Sequence, residues 1–160
     1  MIQGIPRALE ATLERSPEEA KRIVSEVGTP DAVLFTGSGT AFHTALLGSQ
    51  LLRLTKPPVR HATLEAFELL HYLPNLPSRS LVVGVSHSGI TKATVDAVAR
   101  TREEGASSVA ITHFSGRPIA RVTDHVMIAG DGPDLSKCHT KCYLAGAVAS
   151  TALVLELLRT

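Results

Sequence analysis

The sequence predicts an α/β fold, a three-layer sandwich in which helices flank a parallel sheet. Three observations point there. Beyond Gly28, short β-branched or apolar runs end in Gly, Ser or Thr, and a longer stretch of helical periodicity follows each, the punctuation of βαβ units. The run Leu81-Val82-Val83-Gly84-Val85 is apolar almost throughout, as in a strand covered on both faces. The chain has 160 residues, 44% apolar and 19% charged, which suits one domain with a sizeable core.

The elements follow in order. Ser16-Pro17-Glu18-Glu19 offers a capping hydroxyl, a proline at the first helical position and a glutamate three residues after the cap. Ala20, Ile23, Val24 and Val27 then repeat at helical spacing up to Gly28, so a helix is predicted over 17–27. Ile5, Leu9 and Leu13 recur every fourth residue and predict a short separate helix before it. Residues 1–28 thus hold leading helices and 29–160 the α/β core of a single domain. Strands are predicted over 32–36, 59–62, 81–85, 109–112 and 126–128. Helices are predicted over 41–54 (stopped by Lys56-Pro57-Pro58), 64–71, 90–104 (ended at Gly105), 118–122 and 137–158. The last carries alanine and leucine on nearly all sides, which predicts burial against another subunit or a second copy of the domain.

Composition narrows the function. Sixteen basic against fifteen acidic residues give a formal charge of +1, so bulk charge attracts neither nucleic acid nor an anionic membrane. No continuous apolar stretch approaches the roughly 18 to 20 residues that span a bilayer, and the N-terminus is too charged for a signal peptide. A cytoplasmic location is expected. Cys138 and Cys142 lie four apart with His139 between them, but the four-ligand spacing of a zinc site is missing. They read as buried or idle thiols; no metal and no cofactor is expected.

In open parallel sheets, ligands bind beyond the carboxyl ends of the strands. Gly37-Ser38-Gly39-Thr40-Ala41-Phe42 follows the first strand. A dinucleotide fingerprint needs glycine where Phe42 stands and an acid near the second strand's end, where His61 and Ala62 stand, so a nicotinamide cofactor is disfavoured. What remains is a glycine turn opening a helix, where free amides and Thr40 face an anion. The third strand leads into Ser86-His87-Ser88-Gly89-Ile90-Thr91. Ser86, Ser88 and Thr91 can each donate to one oxyanion while the helix start adds amides and its positive dipole end. A helix cap explains one hydroxyl, not three. No Gly-x-x-x-x-Gly-Lys is present, and Gly84-Val85-Ser86-His87-Ser88 lacks the final glycine of a hydrolase nucleophile elbow.

These two turns, with Gly132-Pro133-Asp134-Leu135-Ser136-Lys137-Cys138-His139-Thr140-Lys141, resemble the SIS (sugar isomerase) domain. The resemblance is to one repeat of the two-repeat proteins that include the isomerase part of glucosamine-6-phosphate synthase and the AgaS-like sugar isomerase/deaminases. It runs from Ala32 to the final helix. It implies a five-stranded parallel sheet of flavodoxin-like order, a phosphorylated monosaccharide as ligand, and a homo-oligomer. Residue by residue, it implies that Ser86, the His87 backbone, Ser88 and Thr91 bind phosphate, with Gly39 and Thr40 on its other side. Lys137 and His139 would touch the sugar's carbon chain. Three positions depart from the family: Ala41 and His139 stand where many members have serine, and no carboxylate stands near Leu54, the place of the synthase's catalytic glutamate.

Aldose–ketose isomerisation needs a base that moves a proton between neighbouring carbons, usually after ring opening. Glu65, Glu68 and His71 fall three apart after the second strand and form one ridge, and a ring-opening histidine of the synthase lies within one place of His71. The same ridge also reads as a solvated face opposite Leu64, Phe67 and Leu70. His43 sits one turn into a glycine-started helix, whereas His61, His113 and His125 are expected in structural roles. The expectation is an aldose–ketose phosphosugar isomerase, with an amino sugar as one option. The alternative is a noncatalytic phosphosugar-binding module, either half of a two-repeat isomerase/deaminase or a regulatory sensor.

Overall fold

The protein is described by a computed structural model that covers residues 2–55, 59–72, 75–132, 134 and 138–160. Five strands form one parallel sheet: β1 (Ala32–Gly37), β2 (Arg60–Glu65), β3 (Ser80–Val85), β4 (Ser107–Thr112) and β5 (His125–Ile128). Their order is β2-β1-β3-β4-β5, the flavodoxin-like winding. The chain winds outward from β1 to β2, then returns to place β3 on the other side of β1. The switch point therefore lies between β1 and β3, whose terminal residues Gly37 and Val85 are register partners. An open crevice forms there because the two following connections leave toward opposite faces.

Among the described residues, six α-helices flank the sheet: α1 (Ile5–Val27), α2 (Thr40–Thr55), α3 (Ala66–His71), α4 (Lys92–Glu103), α5 (Pro118–Val122) and α6 (Thr140–Leu157). Strand alternation divides the core between two faces. Val33, Phe35, Leu81, Val83 and Val85 pack with Ile23, Leu52, Ala149 and Leu153 of α1, α2 and α6. Leu34 and Val82 face Leu69, Ala97 and Val98 of α3 and α4. Each fully buried Leu, Val or Phe is worth roughly 1.5 to 3 kcal/mol over its exposed state. Gly48 lets α2 approach: a Cβ there would lie 2.5 Å from Phe35 Cε1 and 2.6 Å from Ser150 Oγ.

The N-terminal expectation is corrected. Residues 5–27 form one helix, with Pro17 inside it and Ser16 buried rather than capping. Proline removes one helical bond and crowds the preceding turn. Against that, Ala8, Thr12, Ser16, Ala20, Ile23 and Val24 make one buried stripe that continues past the proline along α6. Tertiary burial wins over the local stop signal.

Other boundaries shift for local reasons. β2 runs three residues beyond its predicted end because Glu65, not Leu64, caps α3. Helix α4 starts at Lys92 because Thr91 takes the N-cap position and Ile90 stays in the turn. The last helix starts at Thr140, and its predicted start at Lys137 lies outside the described residues. By length and mean hydropathy (18 residues, 1.2), α6 reaches what a membrane crossing needs, although Lys141, Ser150, Thr151 and Glu156 interrupt its apolar run. In the fold it packs between α1 and α2, with Ala145, Ala149 and Leu153 fully buried.

Candidate functional site

The carboxyl ends of β1 and β3 carry the two predicted turns. In the turn after β3, the Ser86 amide donates to the Ile111 carbonyl of β4 at 3.0 Å. The Gly89 amide donates to the Ser86 carbonyl and hydroxyl, both at 3.1 Å. Gly89 has φ 70°, the left-handed region that favours glycine. Its carbonyl accepts the Ile119 amide of α5 at 3.0 Å, so the turn is held from β4 and from α5.

The donors are only partly spent. The Ile90 amide reaches Ser88 Oγ at a long 3.4 Å, and Thr91 sits at the N-cap of α4 without using its hydroxyl to cap. Among the described residues, the amides of His87 and Ser88 find no protein acceptor. Ser86 is buried, while Ser88 and Thr91 are half-buried. Hydroxyls and amides gathered at the N-terminus of a helix are suited to an oxyanion, whose charge strengthens each bond.

The turn after β1 stands across the switch point. Gly37 is required there, since a Cβ would lie 2.9 Å from the Val85 carbonyl and from the Ala41 backbone. Gly39 is exposed at φ 59°, its carbonyl accepts the Phe42 amide at 3.0 Å, and Thr40 opens α2. Ser38 Oγ lies 3.5 Å from Thr94 Oγ1 and ties this turn to the first turn of α4. Gly39 and Thr40 thus border the same crevice end as Ser86, Ser88 and Thr91.

Behind the turn lies a group of imidazoles. The buried His87 ring places Nε2 3.4 Å from Thr44 Oγ1, and its centroid is 5.7 Å from that of His113 and 6.4 Å from that of His139. Burial above all, then His113 and His139, pulls the His87 pKa down to about 4. Burial also lowers that of His113. His113 Nε2 lies 3.3 Å from the Cys142 carbonyl, which assigns the proton to Nε2 and leaves the buried Nδ1 unpartnered. Both rings are neutral at pH 7, so an anion in the turn is met by amides, hydroxyls and the helix end. Lys92 is already paired with Asp96 at 2.5 Å, and the Arg117 guanidinium stacks 5.0 Å from the Phe114 ring centroid.

The catalytic candidates have mixed placements. Glu65 is the register partner of Gly37, which puts it at the same carboxyl edge of the sheet as the turn after β3. Its carboxylate accepts the Phe67 amide at 2.7 Å, and the Glu68 carboxylate accepts the Glu65 amide at 3.3 Å, a reciprocal capping box on α3. His71 is exposed, its ring centroid 4.2 Å from that of Phe67. The structure joins the two glutamates through the cap and does not join His71 to them. Leu54 is 72% exposed, and Ala41 is buried.

The remaining histidines divide. His43 is exposed beside Phe42, His61 Nδ1 lies 3.2 Å from Ser49 Oγ, and His125 faces Glu26 at 3.6 Å. Lys137 lies outside the described residues. His139 is the N-cap of α6 in the left-handed region. Sequence reasoning missed Thr44, the buried side of His113, and Asp134, whose Oδ2 accepts the amides of Lys141 and Cys142 at 3.1 and 3.5 Å. For His113 a signal existed, since it follows β4 directly, at a strand end. Burial, with the Asp134 charge second, pushes the Cys142 thiol up to about 11.

Comparison with known proteins agrees with this fold. The family model of the SIS domain matches residues 29–155. An isomerising glutamine–fructose-6-phosphate aminotransferase of Symbiobacterium thermophilum is 35% identical over 166 residues, covering 98% of this chain and 27% of its own length. The chain thus spans about a quarter of the curated relatives it matches. A candidate phosphosugar isomerase from Silicibacter pomeroyi superposes with TM-score 0.88 at 26% identity, covering 99% of this chain and 49% of that one. The sugar isomerase domain of an RpiR transcription factor from Sphaerobacter thermophilus gives TM-score 0.75 at 26% identity, covering 99% and 95%. The winding order, the hydroxyl turn at its switch point and a family match over most of the length lead to one conclusion: the chain belongs to the SIS domain family.

Proposed function

We propose that this chain binds a phosphorylated monosaccharide with its phosphate in the turn of residues 86–91 and interconverts aldose and ketose forms, as a cytoplasmic homo-oligomer. One observation carries the binding reading: the protein leaves the Thr91 hydroxyl and the His87 and Ser88 amides unspent in one turn opening a twelve-residue helix. The relatives' names, an isomerising fructose-6-phosphate aminotransferase and a candidate phosphosugar isomerase, support the same ligand class. In this reading Ser86, Ser88, Thr91 and the His87 backbone hold the phosphate, and Gly39 and Thr40 border it. Lys137 and His139 address the carbon chain. Glu65 or Glu68 takes the proton from the carbon beside the carbonyl and returns it to the neighbouring carbon, and His71 assists ring opening.

Assembly is supported by the groove between α1 and α6. It holds about 630 Å³ and is lined by Leu9, Leu13, Leu144, Val148 and Leu155. Glu18, Lys21, Glu156 and Arg159 also line it. Two acids and two bases allow a twofold axis to set acid against base.

A second reading, a noncatalytic phosphosugar sensor or half of a two-repeat protein, is favoured by the capping box that occupies both glutamates. Exchange separates the two. The purified chain is incubated in deuterated water with fructose 6-phosphate, glucose 6-phosphate and glucosamine 6-phosphate, and NMR follows deuterium at the first two sugar carbons. Incorporation that disappears in Glu68→Gln or His71→Ala supports isomerisation. Calorimetric binding without incorporation leaves the sensor, and no heat with any of the three sugars removes both readings.

A further inference from the structure

We propose that Asp134, His139 and Cys142 form a site for a divalent transition-metal cation of the zinc class, at the start of α6, with His139 as a ligand in place of the direct sugar contact of the preceding reading. Their ligand atoms, one oxygen, one nitrogen and one sulfur, lie within 4.8 Å of one another. Around a tetrahedral zinc ion with bonds of roughly 2.0 to 2.3 Å, such donors stand about 3.3 to 3.6 Å apart. Closure therefore asks about 1 Å of travel, which side-chain rotation supplies. The mixture of thiol, imidazole and carboxylate selects borderline metals over calcium or magnesium, which prefer oxygen alone.

Independent features support the cluster. His139 is the one non-glycine residue with positive φ among the described residues, at φ 51° and ψ 26°. A residue with a Cβ is strained there, and such strain gathers where a side chain has to be placed. The ligands are also held by bonds that leave the sulfur and the imidazole out. Asp134 Oδ2 takes the Lys141 and Cys142 amides, and the Cys142 carbonyl takes the His113 Nε2 proton. Metal-ligating carboxylates are ordinarily hydrogen-bonded as well, so capping a helix and ligating a cation are compatible.

Access and charge fit as well. Cys142 is 4% exposed, Asp134 is half-buried and His139 is exposed, so the site is walled on the thiol side and open on the imidazole side. The ammonium of Lys141 lies 3.1 Å from Asp131, whose carboxylate offsets its charge. Three protein ligands leave one tetrahedral position for water or another ligand, as in zinc sites that do chemistry rather than only hold a fold. Cys138, also exposed, is not among the three ligands.

The test reads the metal itself and needs no sugar. The metal-free full-length chain is titrated with Co²⁺ and followed by absorption, then with Zn²⁺ as competitor. One Co²⁺ per chain is expected, with a thiolate-to-cobalt charge-transfer band that Zn²⁺ abolishes. The band persists in Cys138→Ser and vanishes in Cys142→Ser. Asp134→Asn and His139→Ala, which change side chains outside the core, weaken Co²⁺ binding at least tenfold and decide the matter should Cys142→Ser fail to fold. Absence of the band, a band that follows Cys138, or affinity unchanged in both Asp134→Asn and His139→Ala overturns the site.

Discussion

Gly89 and Arg117 stand so close that a Cβ on the glycine would lie 2.5 Å from the arginine's Cβ. Gly89 also adopts φ 70°, so a side chain there meets a backbone penalty as well as a collision. Gly89→Ala is expected to lower the unfolding free energy by about 1 to 3 kcal/mol. By displacing Ser88 and Thr91 it should also weaken fructose 6-phosphate binding more than tenfold. Thermal unfolding and calorimetry check both, and undiminished binding would show that this turn does not hold the phosphate.

Ser88→Ala and Thr91→Ala should each weaken phosphosugar binding by about 1.5 to 3 kcal/mol, the range for a hydrogen bond to a charged group. Stability should move by no more than about 0.5 kcal/mol, because the Ser88 contact is 3.4 Å long and Thr91 does not cap. Ser86→Ala differs: its hydroxyl accepts the Gly89 amide, so binding and stability should fall together.

Asp124 joins β4 to the β5 connection. Its carboxylate accepts the Ser108 amide at 2.9 Å, the Ser108 hydroxyl at 2.7 Å and Arg102 Nε at 2.8 Å. Burial alone would raise its pKa, but these bonds outweigh burial and hold it below the usual 3.8. A depressed carboxylate stabilises the fold above its unfolded pKa, and that contribution disappears as the pH falls through the folded value. Asp124→Asn should therefore cost about 0.5 to 1.5 kcal/mol at pH 7, a range reduced for solvent screening. Denaturant titrations should show the gap narrowing below pH 3.8, whereas a constant gap down to strong acid would rule out the charge as its source.

Leu13 and Leu155, 58% and 55% exposed, flank the α1–α6 groove. Leu155→Lys should shift the chain from dimer or larger species to monomer in sedimentation velocity while leaving its melting temperature nearly unchanged. A wild-type chain that sediments as a monomer would remove the assembly from the proposed function.

The hydroxyl turn after β3 was legible because hydroxyls, glycines and a helix start are adjacent in the chain. Residues 86–91 need no distant partner to be recognised as a group. The capping box was harder to see: Glu65 and Glu68 suggested a catalytic ridge, and only the turn from β2 into α3 shows both carboxylates engaged with backbone amides. Ser16-Pro17 misled for the opposite reason. A start signal that is valid locally is overridden by a buried stripe from Ala8 to Val24.

By itself, the sequence determined the α/β class, the five strands and the hydroxyl turn, since periodicity and punctuation are local properties of a chain. Only the tertiary structure decided that α1 is continuous and that His87, His113 and His139 meet. It alone gathered Asp134, His139 and Cys142 at the start of α6. The first two outcomes depend on which faces bury against one another, and burial couples residues up to dozens of positions apart; the third depends on side-chain geometry at a helix start, which spacing alone does not fix.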